Sequence, residues 1–250
     1  MSKSNAAQNI NGWIIIDKPT GITSSAVVNK IKWACSARKA GHAGTLDPSA
    51  TGILAIALGE ATKTIPYVTE QIKSYTFEVK WGEATDSDDS DGKIIKTSQM
   101  RPSEQDIIAI LPRFRGEIKQ TPPFFSAVKI NGRRAYELAR SGEDFDIASR
   151  SLFVSSLKLE KYISENSAIL SLECGKGGYV RSIARDLGLE LGCYGHVKWL
   201  RRIASGSFNL SMAHSLDTIL KLNKTSAVNN FILPVELGLS TIKHGTCTAT

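Results

Sequence analysis

Between Gly41 and Gly52 the chain reads Gly-His-Ala-Gly-Thr-Leu-Asp-Pro-Ser-Ala-Thr-Gly, a stretch rich in glycine around a single carboxylate, Asp47. Glycine lets backbone come close to a ligand, and a carboxylate held in such a loop can serve as a nucleophile. The same composition suits a tight turn in which Asp47 caps its own backbone. A second group, Gly175-Lys176-Gly177-Gly178-Tyr179-Val180-Arg181, puts glycines ahead of a helical pattern. It lacks the spacing of a phosphate loop, although glycines before a helix N-terminus can still receive a phosphate. Arg181 and Arg185 stand four apart on one helix face, expected to lie away from the apolar seam of Val180, Ile183, Ala184 and Leu187 and to be solvated or paired with Asp186. The carboxylates Asp86, Asp88, Asp89 and Asp91 fail the calcium-loop template, because Thr97 stands where its final glutamate belongs. A solvated hairpin tip is the expectation there. Val197 to Arg202 mixes basic and apolar residues, which fits a strand with one basic face as well as it fits RNA contact.

The elements that must position these residues are legible from periodicity. Trp13 to Asp17 is a short apolar run that reads as a buried strand, and Thr23 or Ser24 can cap a helix carrying Val27, Val28, Ile31, Ala34 and Cys35 inward. Ile53 to Leu58 reads as a second buried strand. Tyr75 to Trp81 alternates, the period of a strand with one wet face. Lys93 to Lys96 is a candidate returning strand, Ser103 with Asp106 forms a capping box, and Asn131-Gly132 marks a turn before a helix at 133–140. Further strands are expected at 152–162 and 168–173, then a helix at 179–191. The pattern is that of an α+β protein with a mixed, largely antiparallel sheet.

The formal charge is +7, from 31 basic and 24 acidic residues, and a polyanion is the natural partner for such a balance. Cys35, Cys174, Cys193 and Cys247 lie far apart, and His42, His196, His214 and His244 share no close spacing with them or with each other. No disulfide framework or metal site is legible, and a reducing cytoplasm is the expected compartment. No signal peptide or membrane span is readable.

Taken together, six ordered motifs resemble the TruB family of tRNA pseudouridine synthases. They are Asp17-Lys18-Pro19-Thr20-Gly21 with Thr23-Ser24; Gly41 to Gly52; Lys73-Ser74-Tyr75; Gln120-Thr121-Pro122-Pro123 with Ser126 to Lys129; Gly178 to Gly188; and His196 to Arg202. The resemblance implies a pseudouridine synthase catalytic core that acts on the uridine at position 55 in the T arm of tRNA. It implies that Asp47 is the nucleophile, that Tyr75 stacks on the flipped uracil, that Arg181 pairs with the aspartate, and that Leu200 forms an apolar wall. His42 is expected to fill the space the base vacates. Lys18, Thr45 and Tyr179 join His42 and Leu200 as expected substrate-binding residues. No metal, organic cofactor or protein partner is implied.

The expected organisation is a flexible N-terminus at 1–11, one catalytic domain at 12–238 and a tail at 239–250, without the PUA-like RNA-binding domain that many bacterial members carry. Two other classes share parts of the pattern. A guide-dependent synthase like dyskerin has the catalytic motifs, and a non-catalytic RNA-binding module would not need Asp47 and Arg181 together.

Overall fold

The computed structural model describes residues 9–223 and 225–240. Most of the expected N-terminal segment and of the C-terminal tail, at 1–8 and 241–250, lies outside the described residues. The chain opens with β1 (Gly12–Lys18), α1 (Ser24–Ala34), β2 (Ala40–His42), β3 (Thr51–Leu58) and α2 (Ile65–Glu70). Its middle holds β4 (Lys73–Trp81), β5 (Glu83–Thr85), β6 (Ile94–Thr97), α3 (Glu104–Ile110), β7 (Gly116–Gln120), β8 (Lys129–Ile130), β9 (Arg133–Arg134) and α4 (Ala135–Arg140). There follow β10 (Arg150–Ser164), β11 (Ser167–Cys174), α5 (Val180–Glu190), β12 (Gly195–Ser205), β13 (Phe208–Asn209), β14 (His214–Ser215) and α6 (Leu216–Lys221). Within the span read from sequence as one catalytic domain, residues cluster into two compact units: Met1–Lys73 with Arg202–Thr250, and Ser74–Arg201.

In the first unit β1 runs antiparallel to β3, from Gly12 opposite Leu58 to Lys18 opposite Gly52, and parallel to β14. The apolar run of β1 shows no alternation because both faces are covered. Ile14 and Ile16 pack with Leu54 and Ile56 against Val27 and Ile31 of α1 and Ile219 of α6. Trp13 and Ile15 point the other way, with Ile53, Ala55, Val68 and Phe208. Thr23 takes the N-cap of α1, its hydroxyl accepting from Ala26 N at 3.2 Å, which releases Ser24 for another task.

In the second unit the strand order is β4, β11, β10, β7, with β10 antiparallel to both β11 and β7. Phe77, Val79 and Trp81 of β4 are buried with Leu170, Leu172, Ile107 of α3, and Ile183 and Leu187 of α5. The α+β expectation and its mixed, largely antiparallel sheet are what the structure shows. The Ser103 capping box is present, its hydroxyl accepting from Asp106 N while the Asp106 carboxylate accepts from Ser103 N. Residues 94–97 do return as a strand, but they pair with β5 in a separate two-stranded ladder.

Candidate active site

Lys18 at the end of β1, the turn after it, and the loop from His42 to Ala50 are sewn together in the first unit. Ser24 Oγ donates to Leu46 O and accepts from Leu46 N, both at 2.9 Å, so one buried hydroxyl holds both backbone groups beside Asp47. Gly21 N donates to Pro48 O at 2.8 Å, and Thr20 Oγ1 to Ser49 O at 3.1 Å. Lys18 is fully buried, and its ammonium donates to Pro19 O, Ile22 O and Pro48 O at 2.8 to 3.0 Å. Burial brings its pKa down to about 8, against the favourable pull of Asp47 and with the added push of Arg202.

Arg202, at the far end of the sequence, closes the loop from below. It is 1 % exposed, and its guanidinium donates to Ile53 O at 2.8 Å, Gly44 O at 3.0 Å and Thr45 O at 3.4 Å. Its backbone lies so close to β3 that a Cβ on Gly52 would fall 2.2 Å from Arg202 O, and Gly52 has φ +98°, so only glycine fits. His42 is half-buried. Burial and then the charge of Arg202 hold its imidazole below the usual histidine range, so it is neutral at pH 7. Asp47 is half-buried and Thr45 exposed.

The second unit holds Tyr75, Tyr179, Arg181 and Leu200. Tyr75 is buried on β4 and Leu200 packs against the same core. Arg181 is 5 % exposed, not on a face away from the seam as its spacing suggested. Its Nη1 donates to Ser87 O and its Nη2 to Phe125 O, each at 3.0 Å, and its Nε stands 3.7 Å from the Asp89 carboxylate. The expected solvated tip at 86–92 holds for Ser90 and Asp91, which are exposed, but not for the residues that meet the arginines. Ser87 and Asp88 are buried; Val197 N donates to Asp88 O and Ser90 N to Val197 O, tying the segment to β12. Arg185 donates to Asp88 at 2.8 Å as well as to Asp186.

Gln120 grips the N-terminus of α5 with both ends of its amide, accepting from Tyr179 N at 2.9 Å and donating to Tyr179 O at 3.2 Å. That N–H is therefore already taken and does not await a phosphate. On β12, Lys198 and Trp199 both donate to the buried Glu78 carboxylate of β4. Glu78 thus breaks the wet face expected there. Burial alone would raise its pKa, but the bonds from Lys198, Ser167 and Trp199 hold it below the usual carboxylate range.

The sequence reading missed both Ser24 and Arg202 as clamps on the loop. Arg202 ends the basic-looking run at 197–202 and lies inside β12, and periodicity does not tell a buried arginine from a solvated one.

The solved structure titled "Crystal Structure of a Cbf5-Nop10-Gar1 Complex" superposes with a TM-score of 0.69 at 28 % identity, over 91 % of this chain and 61 % of that one. The "Structure of H/ACA RNP bound to a substrate RNA containing 2'-deoxyuridine" gives 0.67 at 26 % identity, over 91 % and 60 %. This chain thus spans about three fifths of those structures' chains. Residues 32–180 match the family model described as TruB family pseudouridylate synthase (N terminal domain), and residues 181–240 match the tRNA pseudouridylate synthase B C-terminal domain. Curated proteins named tRNA pseudouridine synthase B are 51 % identical in Ruegeria pomeroyi and 53 % in Dinoroseobacter shibae, each match covering 99 % of this chain and 82 % of the relative. The chain belongs to the TruB family.

Proposed function

We propose that this protein isomerises uridine to pseudouridine in tRNA, at position 55 in the T arm, with Asp47 as the nucleophile. The observation that carries the reading is the Asp47 loop. Ser24, Lys18, Gly21 and Arg202 fix its backbone on both sides of the carboxylate, as a preorganised catalytic group requires. Names of relatives at 51–53 % identity over nearly the whole chain supply the substrate class.

The reaction balances within its substrate. The C1′–N1 bond breaks, a C1′–C5 bond forms, and the proton on C5 is exchanged for one on N1. Breaking and remaking a bond at C1′ is glycosidic chemistry, for which an ionised carboxylate is suited. The base must leave the RNA stack at a cost of a few kcal/mol, and stacking on Tyr75 returns roughly 1–3 kcal/mol. In this reading Arg181 pairs with Asp47, Leu200 walls the uracil, and His42 fills the vacated stack as a neutral ring. Thr45 and Tyr179 contact the RNA. Lys18, first read as a substrate contact, is reassigned to positioning, since its three protons go to backbone carbonyls. No helix among the described residues is long and apolar enough to cross a membrane.

The test is purified protein with a tRNA transcript and no guide RNA, followed by pseudouridine mapping. Modification at position 55 that disappears in Asp47→Asn, with tRNA binding retained, is the expected result. Modification only when guide RNA and partner proteins are added would favour the guide-dependent reading that the solved H/ACA structures raise.

A further inference from the structure

We infer that the Asp88–Arg185 ion pair is a positioning pair for Arg181, fixing the carbonyl cradle in which that guanidinium sits. The inference rests on the proposed role of Arg181. Arg181 and Arg185 lie one turn apart on α5, and both reach into the segment that joins β5 to β6. Arg181 takes the carbonyl of Ser87 at 3.0 Å; Arg185 takes the side chain of the next residue, Asp88, at 2.8 Å. One helix face therefore grips two adjacent residues, the first through backbone and the second through charge. Any shift of Asp88 moves the Ser87 carbonyl that aims Arg181.

Asp88 is an expensive residue to keep in this place. Its backbone sits at φ +61°, a left-handed conformation that side chains other than asparagine and aspartate rarely adopt. Its carboxylate is buried, and burial raises its pKa to about 6 despite Arg185 and Arg181, with Asp186 adding to the rise. Asparagine would accept the same backbone and carry no buried charge. Strain of this kind persists where surrounding structure over-determines it, and such places cluster at functional sites. Here the surroundings do so: Asp88 N donates to Thr85 O, and Asp88 O accepts from Val197 N. What the carboxylate adds beyond these backbone bonds is the hold on Arg185, whose other partners are Asp186 and Thr121 O.

The pair thus trades stability for aim, and Asp88→Asn separates the two. With a tRNA transcript as substrate at pH 8, kcat is expected to fall about tenfold and KM to stay within twofold. The thermal midpoint of the variant is expected to equal or exceed that of the wild type. Arg185→Gln should lower kcat similarly, and the double variant should be no worse than the poorer single one, as expected for residues acting as a unit. Asp88→Glu, which keeps charge at altered reach, should recover part of the rate. A kcat for Asp88→Asn within twofold of wild type would overturn the inference. So would a loss of kcat that only tracks a loss of folded protein, since that is a structural role. If wild type makes no pseudouridine while remaining folded, it is the proposed function that fails.

Discussion

Ser24→Ala removes one oxygen atom, twenty-two residues away in sequence from the backbone it serves. The hydroxyl is 2 % exposed and both donates to and accepts from Leu46, itself 4 % exposed, at 2.9 Å each way. Alanine leaves a buried N–H and a buried C=O without that partner, at about 1–2 kcal/mol apiece, so the loss should be about 2–4 kcal/mol. With a urea slope of about 3 kcal/mol/M, the unfolding midpoint should drop by about 1 M. Catalysis should suffer as well, because Leu46 is the neighbour of Asp47 and a misplacement of about 1 Å can cost roughly a hundredfold in rate. Thr23→Ala supplies the control. That hydroxyl caps α1 by accepting from Ala26 N rather than from the loop, so its loss should cost about 1 kcal/mol and leave kcat alone. A Ser24→Ala protein with wild-type midpoint and kcat would refute the view that this hydroxyl sets the Asp47 loop.

Tyr75→Phe keeps the stacking ring and loses the hydroxyl. If stacking were its only task, turnover would survive in Tyr75→Phe and fall in Tyr75→Leu; we expect both to fail at the chemical step, measured in single turnover, because the hydroxyl also serves proton transfer at C5. Arg181→Lys cannot span the Ser87 and Phe125 carbonyls as the planar fork does, so kcat/KM should drop at least tenfold with charge unchanged. Affinity for tRNA should weaken steadily from about 50 to 200 mM salt, and a flat response in a filter-binding titration would contradict phosphate contact. For Lys18 the folded pKa of about 8 lies below the unfolded 10.5, so between these values the unfolded chain holds the proton and the folded one has lost it. The contribution of Lys18 to stability therefore rises with pH across that window, by up to about 3 kcal/mol, and urea titrations of Lys18→Met should lack this rise.

How much of this was readable from residue order depends on how local the determinant is. The Ser103–Asp106 box, the buried run of β1 and the Asn131-Gly132 turn are set by residues within a few positions of each other, and each formed where expected. The loop carrying Asp47 was visible as a motif, and so was Arg181. What periodicity could not supply was the pairing of distant polar groups. The 86–92 segment looks like a solvated tip from its six charged or hydroxylated residues, yet Ser87 and Asp88 are buried, because α5 brings two arginines to them from nearly a hundred residues away. Arg202 and Ser24 escaped for the same reason, as their partners are backbone carbonyls and amides that carry no sequence signature.

The reach of Arg202 has a consequence in time. Its guanidinium bonds to Ile53 O across 149 residues of chain and to Gly44 O across 158. At roughly 5–20 residues per second, a ribosome needs about 7–30 s after making Ile53 before Arg202 exists at all. Until then β1 and β3 can pair, but the loop over them lacks the bonds that close it from below. The Asp47 loop is therefore among the last features of the first unit to set, and a nascent chain cut short of Arg202 would carry every residue of the GHAGTLDP stretch and still lack its working shape.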